Sequence, residues 1–131
     1  MEWREKYSVG HSEMDDDHKQ IFAMVDSFSA SLLAGDGPDR LNTVFDELLN
    51  YMDVHFIHEV GHMKEIGYPN LFYHVTMHEK MVEKLRRLYD QHKLDDASSV
   101  VAEDMGEFLE NWWYAHILTE DMSYKEFAES R

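Results

Sequence analysis

The spacing of chain breaks constrains this sequence more than any other feature. Gly35-Asp36-Gly37-Pro38 and Gly67-Tyr68-Pro69-Asn70 hold both prolines and three of the six glycines. The stretches between them are too long for ordinary strands and suit helices. Apolar residues there recur every three or four positions, and no strand-like alternation is evident. The first helix is predicted over about 15–35, with Asp15-Asp16-Asp17 able to cap its free N–H groups and Ile21, Phe22, Val25, Phe28 and Leu32 on one face. The second, about 38–66, has Pro38 in its first turn, where proline is tolerated, and Leu41, Val44, Phe45, Leu48, Leu49, Met52, Phe56 and Met63 along its stripe. Gly67 stops it. The third, about 69–92, opens at Pro69-Asn70 and carries Leu71, Val75, Met81, Val82, Leu85 and Leu88. The fourth, about 96–119, follows Asp95-Asp96 and carries Val101, Met105, Phe108, Leu109 and Trp112. Short connections predict an all-α, antiparallel up-down-up-down four-helix bundle forming a single domain over 1–131, a fold whose interior commonly hosts metals. Residues 1–14 read as an extended N-terminal arm over one end of the bundle, and the polar tail after Asp121 as packing around Phe127.

Composition narrows the chemistry. Apolar residues make up 44%, enough for a packed core, and the net charge of -15 disfavours nucleic-acid backbones and anionic membranes as partners. No apolar run reaches the ~18 residues of a membrane span, and no signal-peptide pattern follows the charged N-terminus, so a cytoplasmic location is expected. There is no cysteine, which removes disulfides, thiolate zinc sites and iron–sulfur clusters. A metal bound here needs histidine and carboxylate, and the chain has nine His and 27 Asp and Glu.

The histidines fall in register. His55 and Glu59 are four apart on the second helix, so both face the same way, and His74 and His78 repeat that spacing on the third. His18 sits near the start of the first helix and His116 near the end of the fourth. Asp121 follows five residues later, a step that turns away from His116 on a straight helix. Asp121 is therefore expected at or past the helix end. A lone histidine on an apolar face is most often a hydrogen-bonded core residue. Two such pairs plus His18 and His116, in stretches otherwise apolar, are hard to explain without metal. Five imidazoles and two carboxylates exceed one tetrahedral zinc. Two metals bridged by both carboxylates use them all and leave one position open for a small molecule. Imidazole with carboxylate suits iron among other metals.

From about Trp3 to Tyr124 the chain resembles the hemerythrin family, its bacterial single-domain members in particular. The resemblance rests on Val9-Gly10, Asp15-x-x-His18, His55-Phe56-x-x-Glu59-x-x-x-Met63, Tyr68-Pro69, His74-x-x-x-His78, Trp112-x-x-x-His116-Ile117 and Asp121-x-x-Tyr124. It implies two iron ions with an oxo or hydroxo bridge: His74, His78 and His116 on a six-coordinate iron, His18 and His55 on a five-coordinate one, and Glu59 and Asp121 bridging. It further implies reversible dioxygen binding at the open position, for storage, delivery or sensing, rather than enzymatic turnover. A diiron oxidase and a nitric-oxide-binding protein are alternatives on the same site. Ile21, Phe56, Trp112, Trp113 and Ile117 are the candidate pocket walls. Three departures stand out. Trp113 occupies the place of a usual leucine lining the pocket, Asp17 that of a usual glutamine, and Val60 that of a common second glutamate, while His58 and His62 are additions.

His58-Glu59-Val60-Gly61-His62 also matches H-E-x-x-H, the zinc metalloprotease signature. That reading needs a third ligand and a sheet to align a peptide, and it leaves His18, His55, His74, His78 and His116 without a role. Glu59-x-x-His62 matches half of the ferritin-like diiron pattern, but no second E-x-x-H accompanies it.

Overall fold

The computed structural model describes residues 2–94 and 99–131. A 3-10 turn at Glu5–Tyr7 precedes α1 (Ser12–Leu33), α2 (Pro38–Glu65), α3 (Leu71–Leu94) and α4 (Ser99–His116). A π-helical turn, Ile117–Asp121, then leads without a break into α5 (Met122–Glu129). Among the described residues there is no strand.

The four long helices form the expected antiparallel bundle. Phe28 meets Phe45 and His18 meets His55, so α1 and α2 run in opposite senses. The same reversal relates α2 to α3 through Phe45–Tyr89 and Phe56–His78, and α3 to α4 through Lys84–Phe108 and His74–His116. α1 and α4 close the ring through His18–Trp113. Each stripe read from the sequence faces inward, with Phe22, Val25, Phe28, Phe45, Leu48, Met52, Met81, Leu85, Met105 and Leu109 almost wholly buried. Each such side chain contributes about 1.5–3 kcal/mol of transfer free energy.

Helix ends depart from expectation in instructive ways. α1 starts at Ser12, three residues before Asp15, because His11 takes the capping position and its Nδ1 accepts from the Met14 N–H. Asp15 instead accepts from the Val9 N–H at 2.8 Å and the Ser8 hydroxyl at 2.6 Å, tying down the arm. α1 and α2 both end at glycines in the left-handed region, Gly35 at φ 70° and Gly67 at φ 68°. In each case the next N–H reaches back five residues, Asp36 to Ser31 and Tyr68 to Met63. Asp95-Asp96, read as the lead-in to the fourth helix, lie outside the described residues.

The arm first follows the flank of α1 and α4 and then, at Val9, packs with Met63, Tyr68 and Tyr124 at one end of the bundle, as expected. Trp3 and Tyr7 pack on Phe22, Tyr7 also on Tyr114, and Lys125 donates to the Ser8 carbonyl at 3.1 Å. The tail after Asp121 is helical and packs Phe127 against Tyr68, as its composition suggested.

The core has two parts. One large cluster runs through the bundle from Phe22 and Phe45 to Trp113 and Ile117. A smaller one holds Val9, Met14, Met63, Tyr68 and Tyr124. Three of the residues of interest lie between the two clusters in sequence: His18 between Met14 and Ile21, Glu59 between Phe56 and Met63, and Asp121 between Ile117 and Tyr124, while His55 and His116 are flanked by members of the large cluster.

Candidate metal centre

Polar residues occupy this layer because they continue the apolar stripes at the same period. On α2 the inward positions run Leu48, Met52, His55, Phe56, Glu59, Met63, all buried. His18, His55 and Glu59 are completely buried, as is Asp121, and His74, His78 and His116 nearly so. All seven residues singled out from the sequence meet in one place.

Asp121 reaches it through the π turn. Five α-helical steps would leave it about 140° away from His116. Here the Met122 N–H bonds the Ile117 carbonyl, an i to i−5 closure that brings five residues round in one turn. Asp121 thus lies past the end of α4, as expected, in a π turn that continues into α5, and its Oδ1 is 2.9 Å from His116 Nε2.

The two carboxylates divide their oxygens. Glu59 Oε1 lies 2.8 Å from His74 Nε2 and 3.0 Å from His78 Nε2, while Asp121 Oδ1 lies 3.1 Å from His74 Nε2. On the other side, Glu59 Oε2 is 3.2 Å from His55 Nε2 and 3.6 Å from His18 Nε2, and Asp121 Oδ2 is 3.1 Å from His18 Nε2. The arrangement offers two metal positions, one among His74, His78 and His116, the other between His18 and His55, with each carboxylate facing both.

These contacts fit metals better than a hydrogen-bond network. His18 Nε2, His55 Nε2 and both Asp121 oxygens are buried without a well-formed hydrogen bond despite such close neighbours. Their lone pairs converge instead of pairing. His78 Nε2 and His116 Nε2 face each other at 3.0 Å. Two nitrogens about 2.1 Å from a shared ion and at right angles would be separated by about that much. Glu59 Oε1 and His116 Nε2 are 3.9 Å apart, too far for a hydrogen bond between them. The residues present fit a pair of His/carboxylate-bound ions.

Electrostatics agree. Burial opposes charge on His18, but the adjacent carboxylates of Asp121 and Glu59 outweigh it and hold its pKa up to about 10. His74 is likewise raised against burial, to about 9, by Asp121 and Glu59. Burial would lift Glu59, yet the charge of His55 and the closeness of His116 and His18 pull it well below the usual carboxylate range. His78 is lowered, by burial first and then by repulsion from His116 and His74, against the pull of Glu59. Without an ion, protons on the imidazoles balance the two carboxylates.

Aromatic rings enclose the layer. Phe56 stacks on His78 with centroids 3.8 Å apart, and Trp112 on His116 at 4.1 Å. Trp113 is fully buried, 6.1 Å from His18 and 5.9 Å from His55, and lies nearly parallel to Phe56. Ile21 and Ile117 are fully buried in the same cluster.

His58 and His62 do not join Glu59 as the H-E-x-x-H reading requires. Glu59 turns inward among the five imidazoles, His58 turns to Asp17, and the His62 ring lies 4.1 Å from that of His11. Sequence reasoning missed three neighbours of the centre. Tyr124 donates to Glu59 Oε2 at 3.2 Å, and its spacing three residues after Asp121 was the available signal. Asp17 and Tyr51 form the third side of His55, Asp17 Oδ2 lying 2.9 Å from His55 Nδ1 and the Tyr51 hydroxyl donating to Asp17 Oδ1 at 3.0 Å.

Residues 9–128 match the family profile described as "Hemerythrin HHE cation binding domain". The chain belongs to the hemerythrin family. It is 25% identical to a bacteriohemerythrin of Clostridium acetobutylicum, covering 93% of this chain and 96% of the relative. A bacteriohemerythrin of Methylococcus capsulatus is 30% identical over 84% of this chain and 82% of its own length. A hemerythrin-like protein of Naegleria gruberi is 24% identical over 94% and 89%. The family's cation-binding description agrees with the His/Glu/Asp layer. No helix among the described residues is long and apolar enough to cross a membrane.

Proposed function

We infer that this hemerythrin binds dioxygen reversibly at a diiron centre and does not turn it over. The observation that carries the reading is the division of Glu59 and Asp121 oxygens between a three-histidine and a two-histidine group. His74, His78 and His116 would hold one iron, His18 and His55 the other, with Glu59 and Asp121 spanning both. When bound, two ferrous ions supply the electrons that dioxygen takes up on binding and returns on leaving.

The chain's own residues govern whether that exchange stays reversible. With two nitrogen ligands against three, the His18/His55 position has room for an added molecule. Phe56, Trp113, Ile21 and Ile117 bring no charged group to that side and keep water from it, which disfavours proton delivery to whatever is bound. Tyr124 and the imidazoles fix the carboxylate oxygens. An apolar groove of about 750 Å³ between α2 and α3, lined by Ile57, Val60, Val75 and Val82, reaches Phe56 and His78 from outside. It offers a small apolar molecule an approach that ends on the three-histidine side, with the Phe56 ring, 5.7 Å from that of His55, standing between it and the His18/His55 position. Nitric oxide, similar in size and polarity, would use the same route.

The test is anaerobic reconstitution with ferrous iron, an iron count, and optical spectra as dioxygen is added and removed. Two irons per chain with a charge-transfer band that comes and goes with dioxygen supports the reading. Two irons that oxidise with no reversible band move the function to an oxidase, and failure to take up iron overturns it.

A further inference from the structure

Asp17 and His58, neither of them among the seven residues of the metal layer, are joined in the structure. Asp17 Oδ2 is 2.9 Å from His55 Nδ1 and also 2.9 Å from His58 Nδ1, while its Oδ1 accepts from Tyr51 at 3.0 Å. The Asp17 side chain is only 10% exposed and that of His55 is fully buried, but His58 is 40% exposed. An ionised carboxylate only accepts, so both Nδ1 atoms must carry hydrogen. That assignment fixes His55 as the tautomer whose Nε2 lone pair is free, and Nε2 is the atom that faces Glu59. A buried carboxylate at this place is costly unless its lone pairs are filled. His55, His58 and Tyr51 fill three of them.

We propose that Asp17 is a positioning residue for His55, that His58 and Tyr51 hold it in place, and that this contact sets how tightly the His18/His55 position keeps its ion. The inference rests on the two-metal reading and deepens it, because it makes the two positions unequal. His18, His74 and His116 have no partner at Nδ1. Among the imidazoles of the layer Asp17 reaches His55, so loss of Asp17 acts on the two-histidine position and leaves the three-histidine position untouched. A carboxylate behind a ligating imidazole fixes the ring and makes it a stronger donor. Removing such a partner typically lowers metal affinity about 10–100-fold. His58 adds a solvent-facing grip on Asp17 that a glutamine at position 17 would not need, since a neutral amide is cheaper to bury.

The experiment is titration of metal-free protein with cobalt(II), following stoichiometry, stepwise affinity and the visible d–d bands. Wild type is expected to bind two equivalents. In Asp17→Ala the weaker equivalent loosens about 10–100-fold and its band shifts, while the tighter one is unchanged. Asp17→Gln restores most of the affinity, since its amide oxygen still accepts from His55. His58→Ala weakens the second equivalent with Asp17 present and has no effect in the Asp17→Ala background. Circular dichroism checks that each variant is folded. Two equivalents of unchanged affinity in folded Asp17→Ala overturn the inference and leave the two-metal reading standing. So does equal loosening of both equivalents. Fewer than two equivalents in wild type overturns the two-metal reading itself.

Discussion

The two halves of the centre keep their histidines in place by different means. On the three-histidine side, rings hold rings: Phe56 lies flat on His78 and Trp112 on His116. On the two-histidine side, His55 is held by the hydrogen bond its Nδ1–H donates to the Asp17 carboxylate, and Trp113 lies farther off from His18 and His55. Stacking fixes a ring plane without choosing which nitrogen carries the proton, whereas a carboxylate chooses. The first half is built to be robust and the second to be adjustable, since one substitution at position 17 changes the tautomer preference and donor strength of a ligand.

The sharpest way to break this contrast is to remove what the halves share. Glu59→Ala takes one oxygen from each position and is expected to drop iron uptake below one ion per chain, by elemental analysis of folded protein. His78→Ala is expected to empty the three-histidine position, while His58→Ala still takes up iron and only loosens the ion at His18/His55. Equal loss in these last two would mean that His58 is itself a ligand.

A smaller effect is expected from pH. In the metal-free protein His18 and His74 are held protonated up to about 10 and about 9, so ions entering at pH 7 displace protons from both halves. A pH-stat should record more than one proton released per chain on loading, and apparent affinity should climb with pH towards 9–10. The sign reverses for the empty protein. Histidines whose folded pKa is raised stabilise it fully below their ordinary value near 6.5. That contribution fades as pH rises through 9–10, so thermal melts of metal-free protein should fall across that range. A melting temperature that is flat with pH would mean the carboxylates are balanced in some other way.

The smallest effect tests the adjustable half alone. Trp113→Leu should speed binding of azide or dioxygen several-fold in stopped-flow traces, and cost about 2 kcal/mol of stability through the space it leaves. Rates equal to wild type would show that the indole does not limit access.

Much of this was legible in the chain. His55, Glu59, His74 and His78 could be placed because four-residue spacing and the apolar stripe share one period, so the ligand face and the core face are the same face. The errors came where one residue has two physical uses. Asp15 and Asp17 read as capping carboxylates, since acidic residues before an apolar run usually are. One instead ties the arm through Val9 and Ser8, six and seven residues back, and the other is buried against α2, where its partners lie 34 to 41 residues away. Asp121 does lie past the end of α4, but the π turn that brings it to the site could not be read. No glycine or proline marks the π turn, and its only trace is the five-residue interval between His116 and Asp121.

That interval sets a rule about length. Leu118 and Thr119 are exposed on the outside of the turn, so their identities are free to drift. Their number is bounded from above. Deleting one would return the segment to the α period, in which four residues make the turn and Asp121 still falls on the His116 face. Inserting one would shift the phase of everything after it by about 100°, carrying Tyr124 off Glu59 and Phe127 off Tyr68 in the same step. The stretch works as a spacer that can be tightened but not lengthened, and insertions there should be far rarer among functional variants than substitutions.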